Sequence, residues 1–175
     1  MKIPGSFILE PATPDDYESI LNMYRKANQS LLDKGIVQWD DEYPSPMVLK
    51  ENLADLTTWV FRNEGKPIAS ITLDGDQDPQ YEAITWAYVS NRILVVHRLC
   101  VEPSYQKMGL AGQLMQFAES YAVSNHYQAI RLDAYLGNPY SQRLYRSLGY
   151  QEATGYCYYH PVFIMCNCFE KWVGG

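Results

Sequence analysis

The segment HRLCVEPSYQKMGLAGQLMQFAESY, residues 97–121, joins an apolar strand to an amphipathic helix through a short polar loop. A helix that begins directly after a strand leaves its first backbone N–H groups unpaired and points the positive end of its dipole outward. The loop includes Gly109 and Ala111, whose small size lets backbone amides approach a ligand closely. This junction therefore predicts an anion-binding site.

Two motifs carry a resemblance to a known protein family. The loop QKMGLA, residues 106–111, follows the strand end LCV, residues 99–101, and resembles the acyl-CoA signature Q/R-x-x-G-x-G/A of the GNAT superfamily of N-acetyltransferases. The segment NPYSQRLYRSLGY, residues 138–150, is similar to the family's N-x-x-x-x-x-L-Y-x-x-x-G-F/Y segment. The motifs occur in the family's order, and the resemblance implies a single GNAT-like acetyltransferase domain over residues 1–175.

Length and charge limit the classes of protein that the chain can represent. Its 175 residues fit one domain with a hydrophobic core. A net charge of -6 argues against nucleic-acid binding, because that function needs basic surfaces to neutralise phosphates. The N-terminus lacks the pattern of a signal peptide, and no apolar run reaches the length of a membrane span. We therefore expect a cytoplasmic protein that binds neither nucleic acid nor membrane.

The four cysteines indicate structural thiols. Cys166 and Cys168 form a C-x-C in a strand-like run, where alternate residues share a face, and Cys100 and Cys157 lie in separate apolar stretches. This spacing is not that of metal ligands, so we expect no metal site. Buried thiols in a reducing compartment are the interpretation that the spacing favours.

Periodicity and turn signals predict an α/β chain with the element order β α α β β β α β α β β. A helix connects the strands at 92–101 and 129–134, which are therefore predicted to be parallel. The resemblance implies the same order, in a mixed, mostly antiparallel sheet with helices on both faces and one central parallel strand pair. The predicted strands are residues 6–12, 57–62, 67–73, 92–101, 129–134, 150–159 and 162–171, and the predicted helices are 13–32, 47–56, 110–121 and 138–149.

Three local features complete this prediction. The sequence NEGK, residues 63–66, predicts a hairpin with a glycine turn. Residues 81–90 have no clear pattern and are not assigned to an element. The helix after the Gly109 loop is expected to bury one face, formed by Leu110, Leu114, Phe117, Ala118 and Tyr121.

The GNAT resemblance implies transfer of an acetyl group from acetyl-CoA to a primary amine by direct attack, without a metal. The backbone amides of residues 107–112 would bind the pyrophosphate, and Gln106 would shape the turn. The strand edge would pair with the amides of pantetheine. Asn138 could contact the cofactor, although helix capping alone explains this residue. The positions matched to cofactor binding are Leu99, Cys100, Val101, Gln106, Lys107, Met108, Gly109, Leu110, Ala111, Gly112, Asn138, Ser141 and Tyr145.

The reaction also needs a base and an acid. His97 precedes Leu99 by two residues in the predicted strand, so its side chain should share a face with those of Leu99 and Val101. It resembles a strand histidine of the arylalkylamine branch of the superfamily. Glu82 is a rival base, and a water relay would make neither essential. Tyr145 matches the tyrosine of the family that protonates the departing thiolate, and the alternative is a core tyrosine.

The acceptor is less clearly indicated. The loop GIVQWDDEYPSP, residues 35–46, is acidic and aromatic, so Trp39, Asp40 and Tyr43 are candidate contacts to a cationic, partly apolar amine. An ordinary surface loop in which Trp39 fills a gap between helices is an equal alternative. The acceptor would be a small molecule or a peptide amine. Exposed strand edges near the C-terminus are compatible with a homodimer.

A second functional hypothesis follows from the absence of an unambiguous base in the sequence. The chain would then be a non-catalytic acyl-CoA-binding module that acts as a sensor or scaffold. Turnover of an amine that depends on acetyl-CoA distinguishes the enzyme from this module.

Overall fold

The computed structural model of the chain describes residues 7–40, 44–159 and 163–174. Within these ranges the chain forms seven strands and four α-helices, in the order that the sequence predicts. The strands are β1 (Ile8–Pro11), β2 (Thr58–Asn63), β3 (Lys66–Asp74), β4 (Ile93–Val101), β5 (Ala129–Tyr135), β6 (Gln151–Tyr159) and β7 (Ile164–Trp172). The helices are α1 (Tyr17–Leu32), α2 (Pro46–Ala54), α3 (Leu110–Ser124) and α4 (Pro139–Ser147).

The strands form one mixed sheet in the order β1-β2-β3-β4-β5-β7-β6. β4 and β5 pair in parallel, with Ile93 opposite Ala129 and Val95 opposite Arg131. The pairs β1–β2, β2–β3, β5–β7 and β6–β7 are antiparallel. The predicted mixed, mostly antiparallel sheet with one parallel strand pair is confirmed.

The chain divides into two compact units, and each of them is described by itself below. Unit 1 comprises Met1–Gly35, Trp39–Leu73 and His97–Leu114. Unit 2 comprises Ile36–Gln38, Asp74–Val96 and Met115–Gly175. Among the residues described, no helix is long and apolar enough to cross a membrane.

In unit 1, the predicted hairpin between β2 and β3 turns at Glu64 and Gly65, with φ of 49° and 78°. Two consecutive positive φ angles are typical of the tight turns whose twist matches that of paired strands. One face of α1 and α2 packs on this part of the sheet. The core between these helices and the sheet includes Ile20 of α1, Leu49 of α2 and Val60 of β2, each with 0% exposure.

In unit 2, the apolar core between the strands includes three of the four cysteines. Cys157, Cys166 and Cys168 are buried together with Ile93 and Val95. Cys157 Sγ lies 3.5 Å from Cys168 Sγ. All four cysteines of the chain are free and buried, as the sequence predicts.

One local prediction is corrected in part by the structure. The predicted face of α3 is buried at Leu110, Leu114 and Ala118, but Phe117 and Tyr121 are only half-buried and pack on each other. Met115 and Ala122 are fully buried instead, so the apolar face is rotated from the predicted one. Residues 81–90, which have no clear pattern in the sequence, begin within a 3-10 helix, Pro79–Ala83.

A partly buried ion pair holds the start of α1 to β2 in unit 1. Asp16 precedes the first residue of α1, and its two carboxylate oxygens each accept a hydrogen bond of 2.7 Å from the guanidinium of Arg62. Asp16 also accepts from the backbone N–H of Thr13 (2.8 Å), and Arg62 donates to Glu10 as well. The Arg62 hydrogen bonds hold the pKa of Asp16 below its usual range, although burial opposes this shift.

We expect Asp16→Asn to lower the free energy of unfolding at pH 7 by about 1–3 kcal/mol, because Arg62 loses a charged acceptor. Since the pKa of Asp16 is lower in the folded state, its contribution is fully present above pH ~4 and is lost as the pH falls through the folded pKa. Urea unfolding between pH 2 and 7 should show a weaker acid dependence in this variant. The control is Asp15→Asn, at an exposed neighbour, and equal effects of the two substitutions would contradict the prediction.

Candidate active site

The loop between β4 and α3 folds back on the end of the strand, all within unit 1. Gln106 Nε2 donates to the carbonyl oxygen of Val101, at 3.2 Å. Lys107 and Gly109 both adopt positive φ, at 63° and 81°. This conformation favours glycine, and it lets the chain reverse before α3 begins at Leu110.

The beginning of α3 has the features of an anion site. The N–H of Gln113 donates to Gly109 O at 3.1 Å, so the amides of residues 110–112 precede this helical hydrogen bond. The first turn of α3, which is wholly described, contains no acidic side chain. A Cβ on Gly112 would meet nothing within 4 Å, so the space beside this turn is open. These amides and the helix dipole can bind a phosphate group.

β4 contains an irregularity at the position where the sequence predicts regular alternation. Arg98 adopts a φ of 49°, which is uncommon for a residue other than glycine and departs from extended strand geometry. β4 nevertheless continues through this residue to Val101, and the shared face of His97, Leu99 and Val101 stays a prediction. All three residues are half-buried. Cys100 is buried, which raises the pKa of its thiol to about 12.

In unit 2, Asn138 is the N-terminal cap of α4. Its Oδ1 accepts from the backbone N–H groups of Tyr140 (3.0 Å) and Ser141 (3.3 Å), and its Nδ2 donates to Gln38 Oε1 (2.7 Å). The Ser141 hydroxyl donates to Asn138 O at 3.1 Å. The polar groups of Asn138 are thus already engaged within the protein, as the capping alternative expected.

A buried amide pair, absent from the sequence predictions, fixes α4 to the sheet of unit 2. Gln142 donates from Nε2 to Asn167 Oδ1 (2.6 Å), and Asn167 Nδ2 donates back to Gln142 Oε1 (3.1 Å). Gln142 also bonds to the carbonyl oxygens of Ala134 and Tyr135. The available signal was spacing, because Gln142 lies three residues before Tyr145 and therefore on the same helix face.

Tyr145 is buried at 6% exposure, and its ring packs between those of Tyr150 and Phe169, with centroids 6.1 and 5.6 Å away. None of the described residues forms a hydrogen bond with its hydroxyl. Burial raises the pKa of Tyr145, and the charge of Asp133 raises it further. The hydroxyl therefore stays protonated throughout the physiological range and is available as a donor.

Asp133 forms a second polar cluster in unit 2 that the sequence predictions did not include. Its Oδ2 accepts from the hydroxyls of Tyr81 (2.8 Å) and Tyr159 (3.1 Å). Burial, followed by the Asp133 charge, raises the pKa of both phenols. The signal was an acid inside the largely buried strand β5, whose other charged residue is Arg131. The cluster fixes the 3-10 helix of residues 79–83, on which Glu82 is exposed.

The predicted acceptor loop is described only in part. Trp39 is half-buried against the core of unit 1 and stacks edge-on with Tyr24 of α1, at 5.7 Å between centroids. This contact agrees with the alternative in which Trp39 fills a gap. Asp40 is half-buried, and Tyr43 lies outside the described residues.

The chain is similar to known acetyltransferases in sequence and in fold. The model of the Acetyltransferase (GNAT) family matches residues 17–150. The "Uncharacterized N-acetyltransferase YesJ" of Bacillus subtilis (strain 168) is 24% identical over 166 residues, which cover 88% of this chain and 89% of that protein.

Two solved structures share the fold. An acetyltransferase of the GNAT family from Streptococcus agalactiae 2603 matches with a TM-score of 0.80 at 21% identity, over 95% of each chain. The ribosomal-protein-S18-alanine N-acetyltransferase from Escherichia coli matches with a TM-score of 0.71 at 16% identity, over 97% of this chain and 95% of that one.

We expect Asn138→Ala to destabilise the protein by about 1 kcal/mol, because the first turn of α4 loses its cap. Asn138→Asp keeps the oxygen acceptors and adds a favourable charge at the helix N-terminus, so its thermal midpoint should stay closer to that of the wild type. Thermal unfolding of the two variants tests the cap. An equal fall of the thermal midpoint in both variants would indicate that the hydrogen bond to Gln38, and not the cap, stabilises this turn.

Proposed function

The chain belongs to the Acetyltransferase (GNAT) family, and on that premise we propose that it acetylates the nitrogen of a small primary amine or an amino-terminal acceptor, with acetyl-CoA as co-substrate. The observation that carries the proposal is the loop of residues 106–112, in which the amides of residues 110–112 precede the first helical hydrogen bond of α3. Calorimetric titration with acetyl-CoA tests it, and absence of binding would reject it. Turnover of an amine would also exclude a purely non-catalytic acyl-CoA-binding module.

In this proposal, the backbone amides of residues 107–112 bind the pyrophosphate, and the Gln106 side chain keeps the loop in shape. The edge of β4 at Leu99, Cys100 and Val101 pairs with the amides of pantetheine. Backbone contacts suffice at these positions, so the side chains of Met108 and Leu110 remain free to pack. Asn138 and Ser141 support the cofactor by fixing the start of α4, where their polar groups bond to each other and to the helix.

The proposed acid is Tyr145. A phenol whose pKa is raised cannot lose its proton before the reaction, so it remains a hydrogen-bond donor for the thiolate that departs. The proposed base is His97, with Glu82 and a water relay as alternatives. Glu82 is exposed to solvent, whereas His97 is half-buried on β4 beside the proposed pantetheine contacts.

The acceptor loop is proposed to attract the ammonium form of the amine. Asp40 supplies negative charge, and the overall charge of -6 adds a weaker attraction at long range. Trp39 and Tyr43 complete the set of proposed contacts. The ring of Trp39 also packs on Tyr24 in the core of unit 1. A panel of cationic, neutral and anionic amines tests this part of the proposal, because equal rates would remove it.

We predict that Tyr145→Phe lowers kcat by about 10²- to 10⁴-fold, because one positioned donor is lost. The dissociation constant of acetyl-CoA should change little. Stability should be nearly unchanged, since no described residue hydrogen-bonds to the hydroxyl.

The matched control is Tyr150→Phe, which removes the hydroxyl from the neighbouring buried ring. We expect this control to keep a nearly normal kcat. If both variants turn over at the wild-type rate, Tyr145 is a core residue without a role as acid.

We predict that His97→Gln lowers kcat/KM by about 10²- to 10⁴-fold, because a positioned base is lost. Glu82→Gln should have little effect. The opposite pattern would transfer the role of base to Glu82, and near-normal rates in both variants would indicate a water relay. Acetyl-CoA affinity, measured on each variant, separates loss of chemistry from loss of cofactor binding.

A further inference from the structure

Arg98 is a half-buried cation in unit 1. Its Nη2 donates to the side-chain oxygen of Asn52 on α2, which is a neutral group. Its Nε is buried and has no hydrogen-bond partner among the described residues. No carboxylate lies within ion-pair distance of Arg98 among the residues that the structure describes. A buried donor and an uncompensated charge both cost free energy, so they call for an explanation.

The other two arginines that are shielded from solvent have acidic neighbours. Arg62 forms ion pairs with Glu10 and Asp16. Arg131, which stacks over the Trp86 ring at 4.2 Å, is stabilised by the charge of Glu170. The chain has 20 acidic residues, so acids were available for pairing. Among the described residues, Arg98 is therefore the shielded arginine without an acidic neighbour, although the Nε of Arg131 is also buried without a hydrogen-bond partner there.

The position of Arg98 connects this charge to the proposed chemistry. It lies on β4 between His97 and Leu99, a proposed base and a proposed pantetheine contact. Its φ of 49° is a strained conformation for an arginine, and such strain is often found at functional sites. Asn52 is held in turn, because its backbone oxygen accepts from the backbone N–H (3.0 Å) and the hydroxyl (3.2 Å) of Thr57. The guanidinium of Arg98 is therefore held by the neutral side chain of Asn52, a residue whose backbone is itself fixed by Thr57.

We propose that Arg98 binds the carboxylate of the acceptor, and that the acceptor is an amino acid. This inference rests on the proposed acetyltransferase function and names its substrate class. A carboxylate supplies the missing counter-charge, and its two oxygens match the planar fork of a guanidinium. Because Asn52 is neutral, it holds Arg98 in place without compensating the positive charge, which can then pair with the ligand.

An amino acid also fits the expectation of a positively charged acceptor. In its zwitterionic form it carries an ammonium group, which the acidic loop with Asp40 attracts, and a carboxylate, which that loop would repel. Binding of such a molecule therefore needs a cation in the protein. Arg98 supplies that cation, beside the strand position of the proposed base.

The test compares matched acceptors that differ only at the carboxylate. Phenylalanine, alanine and lysine are each paired with their carboxamides, and release of thiol from acetyl-CoA is followed with wild type, Arg98→Gln and Arg98→Lys. We expect the wild type to prefer at least one amino acid over its amide by about 10- to 150-fold in kcat/KM, which is the worth of a hydrogen bond to a charged group. Arg98→Gln should remove this preference, because it lowers kcat/KM for the amino acid far more than for its amide.

Arg98→Lys keeps the charge and loses the fork, so it should retain only part of the preference. The control for net charge is Arg25→Gln, at an exposed residue of α1. This variant should keep the full preference for the amino acid over its amide. Equal rates with acids and amides, equal loss of both in Arg98→Gln, or no acetylation of any amino acid would overturn the inference. The first two results leave the acetyltransferase function standing, whereas only failure to bind acetyl-CoA or to acetylate any amine would remove that function too.

Discussion

The hydrogen bond from Gln106 Nε2 to the carbonyl oxygen of Val101 holds the loop between β4 and α3 against the end of the strand in unit 1. It fixes the loop amides relative to the last residue of β4. The turn between them is fixed as well, because the Glu102 carboxylate accepts from Ser104 N (2.9 Å) and from Lys26 (3.2 Å). A ligand that binds both the strand and the loop therefore meets groups that are already in place, which reduces the entropy lost on binding.

Polar contacts hold α4 in place in unit 2. Nine residues form no stable helix in isolation. Asn138 supplies the cap, and Gln142 is buried with four hydrogen bonds to β5 and β7. Amide groups require defined distances and directions, whereas apolar contacts tolerate sliding. The face of α4 that carries Tyr145 is therefore fixed in orientation as well as in depth.

The sequence was sufficient for features that depend on local patterns. The turn at residues 63–66, the cap at Asn138 and the order of elements follow from residue preferences and periodicity. The positive φ of Arg98 could not be predicted, because arginine has no preference for this conformation. The Asp133 cluster was missed for a similar reason, since its partners Tyr81 and Tyr159 are 52 and 26 residues distant in the chain. Long-range polar pairing leaves no periodic trace in a single sequence.

The burial of the cysteines has a consequence for the kinetic order of the reaction. Cys100 is the thiol on β4, and an acyl group could pass through it only if the thiol could be reached and could ionise. It is 5% exposed, and burial raises its pKa to about 12. The other three thiols are also buried. A covalent acetyl-cysteine is therefore disfavoured, which supports the proposed direct attack of the amine on acetyl-CoA. Initial-rate plots should intersect, as for a ternary complex, and should not run parallel as in a ping-pong scheme.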